Sequence, residues 1–211
     1  MKIAVDARGG DFAPQTIVEG AVLAAREFGV PVVLVGDQEA VRKEIARHPG
    51  SDSLPLTVVH ASEAVGMGES PLTPIRKKKD SSIKVAYDLV KKGEAAGLFS
   101  AGNSGAVLAT AVFVLEKLKG VDRPAIGTIF PTLKGWTLLL DAGANVDCKA
   151  FHLVQFAIMG EAFAKYVLKI KKPAVGLLSN GEEESKGNEL IRETNAILRK
   201  SSLGYIGTEE G

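Results

Sequence analysis

One cysteine, one tryptophan and three histidines occur in 211 residues, and aromatic residues make up only 6%. The lone Cys148 excludes an intramolecular disulfide and any zinc site built from several cysteines. His48, His60 and His152 lie far apart without ligand spacing, so no histidine-based metal site is expected. An excess of either charge is also missing. Lys and Arg number 26 and Asp and Glu 25, which argues against nucleic-acid binding over the whole surface. A secretory-type start is lacking, because the apolar run 3–5 meets Asp6 at once. The longest uncharged stretch, 95–115, has the length of a membrane span. However, Gly97, Ser100, Gly102, Asn103, Ser104 and Gly105 interrupt it, so it reads as strand, glycine-rich turn and buried helix. A soluble, cytoplasmic chain is expected.

Hydrophobic residues make up 45% and charged residues 24%, the balance of a globular protein. Short Val/Ile/Leu runs alternate with helical patterns. Strands are expected at 2–7, 31–35, 56–61, 96–100, 125–130, 137–141 and 174–179, with a last one starting at 205–206. Helices are expected at 15–28, 38–47, 104–119, 151–168 and 188–200. One more starts after Asp80 as N-cap, shows Ile83, Ala86, Tyr87 and Val90 on one face, and stops at Gly93. The strands at 125–130 and 137–141 read as a pair joined by a turn through Lys134 and Gly135. Near-continuous apolar strands mean a sheet covered on both faces. The expectation is one α/β domain over residues 1–211 with a mostly parallel open sheet.

Ligands in such sheets bind beyond the carboxyl ends of the strands. Four strands run into turns of small and polar residues: 6–11, 100–105, 141–147 and 180–188. Each is a potential anion cradle, and four at one edge point to a shared site. None carries G-x-G-x-x-G or G-x-x-x-x-G-K-[ST], so NAD and ATP lack motif support and no cofactor is expected. G-x-S-x-G is absent as well. The connection 62–79 holds Gly66, Gly68, Pro71 and Pro74 and ends in Arg76, Lys77, Lys78 and Lys79. From Arg76 to Lys92 there are seven basic and two acidic residues. Such a loop suits phosphate, a phosphopantetheine-bearing carrier or the acidic surface of a carrier protein; a compact patch with few aromatics does not suit nucleic acid. His60 reads as a packed core residue, Cys148 as a small buried residue, and Trp136 as a hairpin packing residue.

In order along the chain, VDARGGDFAP, IRKKKDSSI, LFSAGNSGAVLA, LLLDAGANVDCK, LVQFAIMG and ESKGNEL closely resemble the bacterial phosphate acyltransferases. These convert acyl-[acyl-carrier-protein] and inorganic phosphate to acyl-phosphate. The resemblance runs over essentially the whole chain. It departs at Arg8, Phe12 and Ser179, where the family usually has Met, His and Asn. Family members continue past the position of Gly211, so the chain is taken as the N-terminal part of a longer family chain. The resemblance implies a Rossmann-like α/β/α fold akin to isocitrate/isopropylmalate dehydrogenases and phosphate acetyltransferases. It also implies a role in phosphatidic acid synthesis, a homodimer, peripheral association with the inner face of the membrane, and a membrane glycerol-3-phosphate acyltransferase as recipient of the product.

Such a reaction needs no enzyme nucleophile, since phosphate attacks the thioester itself. It needs a held dianion and fixed donors for the developing oxyanion. Asn103, Lys78 and Lys186 are assigned the catalytic roles. Asp6, Gly9, Gly10, Asp11, Arg76, Lys77, Ser81, Gly102, Ser104, Gly105, Asp141, Asn145 and Asn188 are assigned to substrate and phosphate binding. The aspartates are expected to orient cations and loops. Rival readings are a phosphotransacetylase-like enzyme acting on acyl-CoA, a metal-dependent dehydrogenase on a related fold, and an inactive fragment that binds carrier protein.

Overall fold

The computed structural model describes residues 1–133, 135–181 and 187–210. Lys134, within the expected hairpin turn, and Lys186 lie outside the described residues. The chain divides into two compact units, Met1–Glu116 and Lys117–Gly211.

The first unit contains β1 (Ile3–Asp6), α1 (Gln15–Phe28), β2 (Val32–Gly36), α2 (Gln38–Ile45), β3 (Leu56–His60), α3 (Thr73–Arg76), α4 (Ser82–Lys91), β4 (Gly97–Phe99) and α5 (Ser104–Val114). Its four strands form one parallel sheet in the order β3-β2-β1-β4. Alternation along the strands separates two cores. Val5, Val32 and Leu34 pack with Val18, Ala21 and Val22 of α1 and Val41 of α2. Ala4, Val33 and Val35 pack on the opposite face with Ala86 and Leu89 of α4. Burying a Val or Leu side chain is worth about 1.5–3 kcal/mol, so both faces contribute. A third cluster joins Val65, Ile83 and Tyr87 to Ala106 and Val114 of α5.

Local chemistry sets the helix ends. Gly29 adopts φ 64° and its N–H bonds Ala25 O, which closes α1. The Asp37 carboxylate accepts from Ala40 N and starts α2. The expected cap at Asp80 is displaced by one residue: Ser81 occupies the N-cap position of α4. Asp80 Oδ2 instead accepts from Ser62 N (2.8 Å) and Ser62 Oγ (2.6 Å). Helix α5 ends at Val114 rather than 119, just before Glu116 takes φ 68°.

The second unit contains β5 (Gly127–Thr132), β6 (Gly135–Leu140), α6 (Ala150–Tyr166), β7 (Val175–Ser179), α7 (Glu189–Leu198) and β8 (Tyr205–Glu210). β5 and β6 form the expected antiparallel pair, and β7 pairs with β8 in parallel. Phe156, Ala164 and Leu198 are buried. Trp136 sits on the hairpin opposite Pro131, but it is 63% exposed rather than packed. His152 is buried on α6, and its Nδ1 accepts from Lys149 N. Its Nε2 therefore carries the proton and donates to Asp122 Oδ2 at 2.7 Å, which holds the Asp122 carboxyl below the usual carboxylate range. Among the described residues, no helix is long and apolar enough to cross a membrane.

Candidate active site

In the first unit, the ends of β1 and β4 lie side by side because the strands pair in register, Val5 opposite Phe99. The turns that follow them therefore meet. Asp6, 3% exposed, anchors the contact. Its Oδ2 accepts from Ser100 Oγ at 2.8 Å and its Oδ1 from Arg8 N at 3.2 Å. Ser100 Oγ in turn accepts from Gly102 N at 3.1 Å. The junction is tight enough to favour glycine. A Cβ on Gly9 would stand 2.5 Å from Asp6 Oδ2, and one on Gly102 would stand 3.2 Å from Gly9 Cα. Gly10 takes φ 101° directly over Ala101. Asp11 is exposed beyond it.

The second turn leads into α5 through Asn103. Asn103 Oδ1 accepts from Ala106 N at 3.0 Å, a standard N-cap bond. Asn103 Nδ2 donates to Met67 O and to Glu69 O, both at 2.9 Å. Both amide hydrogens are thus committed to the connection between β3 and α4. Gly105 supports the same docking, since a Cβ there would stand 2.9 Å from Pro71 Cγ. Asn103 accordingly positions a loop.

That connection is locked at its base and in its middle. Glu63 bridges to Ser81, with Glu63 N donating to Asp80 O and Ser82 N donating to Glu63 O. Lys78 Nζ donates to Ala64 O at 2.7 Å and to Glu69 Oε1 at 2.6 Å, and Gly66 N also donates to Glu69 Oε1. The Lys78 bond and then the Gly66 amide hold Glu69 below the usual carboxylate range. Bonds from the Ser62 hydroxyl and amide do the same for Asp80. Lys78 is therefore a strut inside the loop, whereas Arg76 and Lys77 are exposed. Ser81 is fully buried at the start of α4, and its hydroxyl has no partner among the described residues.

What remains open at this edge is the start of α5. The Ser104 and Gly105 N–H groups have no acceptor among the described residues, and the Ser104 side chain is exposed. The helix dipole adds partial positive charge at that point. Two free amides and a hydroxyl can bind an anionic oxygen.

The other assigned residues belong to the second unit. Asp141 Oδ1 accepts from Ile126 N at 2.7 Å, and its Oδ2 accepts from Asn145 N at 2.7 Å and Asn145 Nδ2 at 3.0 Å. Burial raises the Asp141 pKa, but these bonds and one from Ala144 N outweigh it, and the net shift is downward. Asn145 Nδ2 also reaches Pro124 O. Asp141 and Asn145 thus form one closed turn. Asn188 Oδ1 accepts from Ile191 N and caps α7. Cys148 is half-buried, and desolvation pushes its thiol up. His60 is exposed rather than packed, and its Nδ1 accepts from Gln38 N at the start of α2. The sequence assigns no site role to Ser100, Glu69 or Pro71; Ser100 meets its partner Asp6 across 94 positions, and Glu69 O meets Asn103 across 34.

The family model described as "Fatty acid synthesis protein" matches residues 1–211. A phosphate acyltransferase of Geobacter sulfurreducens is 61% identical over the whole chain, and one of Pelobacter propionicus is 62% identical. The chain spans 61% of the length of each of these curated relatives. Among solved structures, the EutD phosphotransacetylase of Staphylococcus aureus aligns with TM-score 0.66 at 16% identity, covering 100% of this chain and 68% of that one. A branched-chain phosphotransacylase from Enterococcus faecalis aligns with TM-score 0.59 at 17% identity, covering 99% and 67%. These two alignments show the fold, an α/β architecture with a mainly parallel sheet. On the match that spans every residue, the chain belongs to the fatty acid synthesis protein family.

Proposed function

We propose that the chain carries the phosphate-binding part of an acyltransferase that converts acyl-[acyl-carrier-protein] and inorganic phosphate to acyl-phosphate and free carrier protein, in phosphatidic acid synthesis. The observation that carries this reading is the open start of α5. Its Ser104 and Gly105 amides are unpartnered among the described residues, while bonds of Asn103, Gly102 and Asp6 tie the surrounding turns together. The names of the 61–62% identical relatives support it.

A phosphate oxygen held there attacks the thioester carbonyl carbon, forming a C–O bond and a tetrahedral oxyanion. Collapse of that oxyanion breaks the C–S bond, and the thiolate leaves with the carrier and takes a proton. Holding phosphate against the carbonyl replaces a bimolecular encounter, an effect worth up to about 7–11 kcal/mol for well-oriented groups. Pre-positioned amides stabilise charge without reorganising during the step. The Asp6–Ser100–Gly102 chain and the Asn103 bonds supply that preorganisation. Homodimerisation, association with the inner membrane face and hand-over of the acyl-phosphate to a membrane glycerol-3-phosphate acyltransferase complete the proposal.

The test is formation of acyl-phosphate, trapped with hydroxylamine, from palmitoyl-carrier protein and phosphate by the purified chain. Product from the carrier thioester supports the reading, and absence of product rejects it for this chain. A second reading, favoured by the phosphotransacylase neighbours, is turnover of acyl-CoA. Faster turnover of palmitoyl-CoA than of palmitoyl-carrier protein selects that reading instead.

A further inference from the structure

The four consecutive cations at 76–79 do not have one environment. Lys78 is consumed inside the connection, bonded to Ala64 O and Glu69 Oε1. Arg76, Lys77 and Lys79 are exposed, and none forms an ion pair within 4.0 Å among the described residues. The nearby carboxylates are engaged by local donors. Glu69 is engaged by Gly66 N and Lys78, Glu63 by Asp80 N, and Asp80 by Ser62. Three exposed cations without an ion pair among the described residues place a positive patch on this connection.

We propose that Arg76, Lys77 and Lys79 form an electrostatic docking surface for the acidic face of the protein that carries the thioester, with Lys78 serving only to brace it. The proposal rests on the acyl-transfer reading above and names the partner surface of that same site. Leu72 lies one helical turn before Arg76 along α3 and is 39% exposed, and Met67 is 47% exposed. Exposed apolar side chains on the same connection as the cations fit a partner with an acidic, amphipathic face. The surface is also placed for delivery. The same connection is bonded to the α5 cap through Met67 O and Glu69 O, and Pro71 packs on Gly105. A carrier seated on the cations is therefore held beside the Ser104 and Gly105 amides. Three cations on one short helical turn and its exit attract an anionic bilayer by only about 1 kcal/mol each, so a protein face is favoured over a membrane.

The test uses the full chain with Arg76, Lys77 and Lys79 all replaced by Gln and fluorescently labelled acyl carrier protein, read by anisotropy at low salt. The expected result is a rise of at least roughly tenfold in Kd and a flattened salt dependence. The phosphate response of the Ser104 and Gly105 amides is read in the same variant. An unchanged carrier Kd overturns the proposal, as does a wild-type chain that does not bind carrier at all. Loss of the phosphate response assigns the cations to phosphate instead. Loss of binding to phosphatidylglycerol vesicles with the carrier Kd unchanged assigns them to a membrane. Because anisotropy needs no turnover, the two readings fail separately. Carrier bound through these residues without acyl-phosphate formation rejects the acyltransferase. Acyl-phosphate formation with an unaltered Kd in the variant rejects the docking surface.

Discussion

Two turns in this chain have nearly the same vocabulary, Ser100-Ala-Gly-Asn-Ser-Gly105 in the first unit and Asp141-Ala-Gly-Ala-Asn145 in the second. In the second, a carboxylate of the turn itself takes up the amides of Ile126 and Asn145 and the Asn145 side chain. The cradle is filled from within. In the first, the anchoring carboxylate comes from Asp6 on the neighbouring strand, and it bonds a hydroxyl rather than the helix amides. Asn103 satisfies Ala106 N alone, and Ser104 N and Gly105 N stay open. Small and polar composition thus marks a tight turn, and the destination of each donor decides whether an anion can enter.

The contrast breaks most severely at Asp141. Asp141→Ala strands the backbone amides of Ile126, Ala144 and Asn145, while the Asn145 side chain keeps Pro124 O, and bonds to charged acceptors are worth about 1.5–3 kcal/mol. Urea unfolding should show a loss of roughly 3 kcal/mol in the second unit, with phosphate binding at the first unaltered. Asp6→Ala should cost roughly 2 kcal/mol on the same ground, and here phosphate affinity should fall too, because the Ser100–Gly102 link loses its anchor. Equal phosphate affinity in this variant would show that the junction has no bearing on the site.

Asn103 allows a finer cut. Asn103→Ala removes the cap, at about 1 kcal/mol, together with both bonds to the connection. Asn103→Asp keeps the capping oxygen, loses the donors to Met67 O and Glu69 O and adds a negative charge beside the anion site. The alanine variant should lower both Tm and acyl-phosphate formation, whereas the aspartate variant should lower formation by about tenfold, equivalent to 1.4 kcal/mol, with a smaller change in Tm. Matching rates in the aspartate variant and wild type would free the connection of any role in turnover.

The smallest effect concerns pH. Glu69 has a folded pKa below its ordinary 4.5, through the Lys78 bond first and the Gly66 amide second. Its contribution is therefore complete above that ordinary value and is lost as pH falls through the lowered one. Amide exchange at Gly66 and Glu69, corrected for intrinsic rates, should stay flat from pH 7 to about 5 and rise only below about 4. A rise between pH 7 and 5 would mean that the carboxylate is not what locks the loop.

Alternating apolar runs made the strands and helices legible, since Val32 to Val35 alone send side chains to both cores. Period carries no information on where a helix stops without glycine, so the pattern runs past Glu116, whose positive φ follows the end of α5. Capping was legible to within one residue. Asp80 looked like the cap, yet its carboxylate closes the connection by bonding Ser62, 18 positions away. At the site, sequence located the turns, and long-range bonds determined the roles. Nothing local to Asn103 reveals Met67 and Glu69 as acceptors, and nothing in a run of four cations reveals that Lys78 alone is tied down.

The most direct measurement is a phosphate titration of the 15N-labelled chain followed amide by amide. Saturable shifts at Ser104 and Gly105, with Ala144 and Asn145 unmoved, are the expected result. Shifts confined to the Asp141 turn, or none at the start of α5, would contradict the assignment of the open helix end as the anion site.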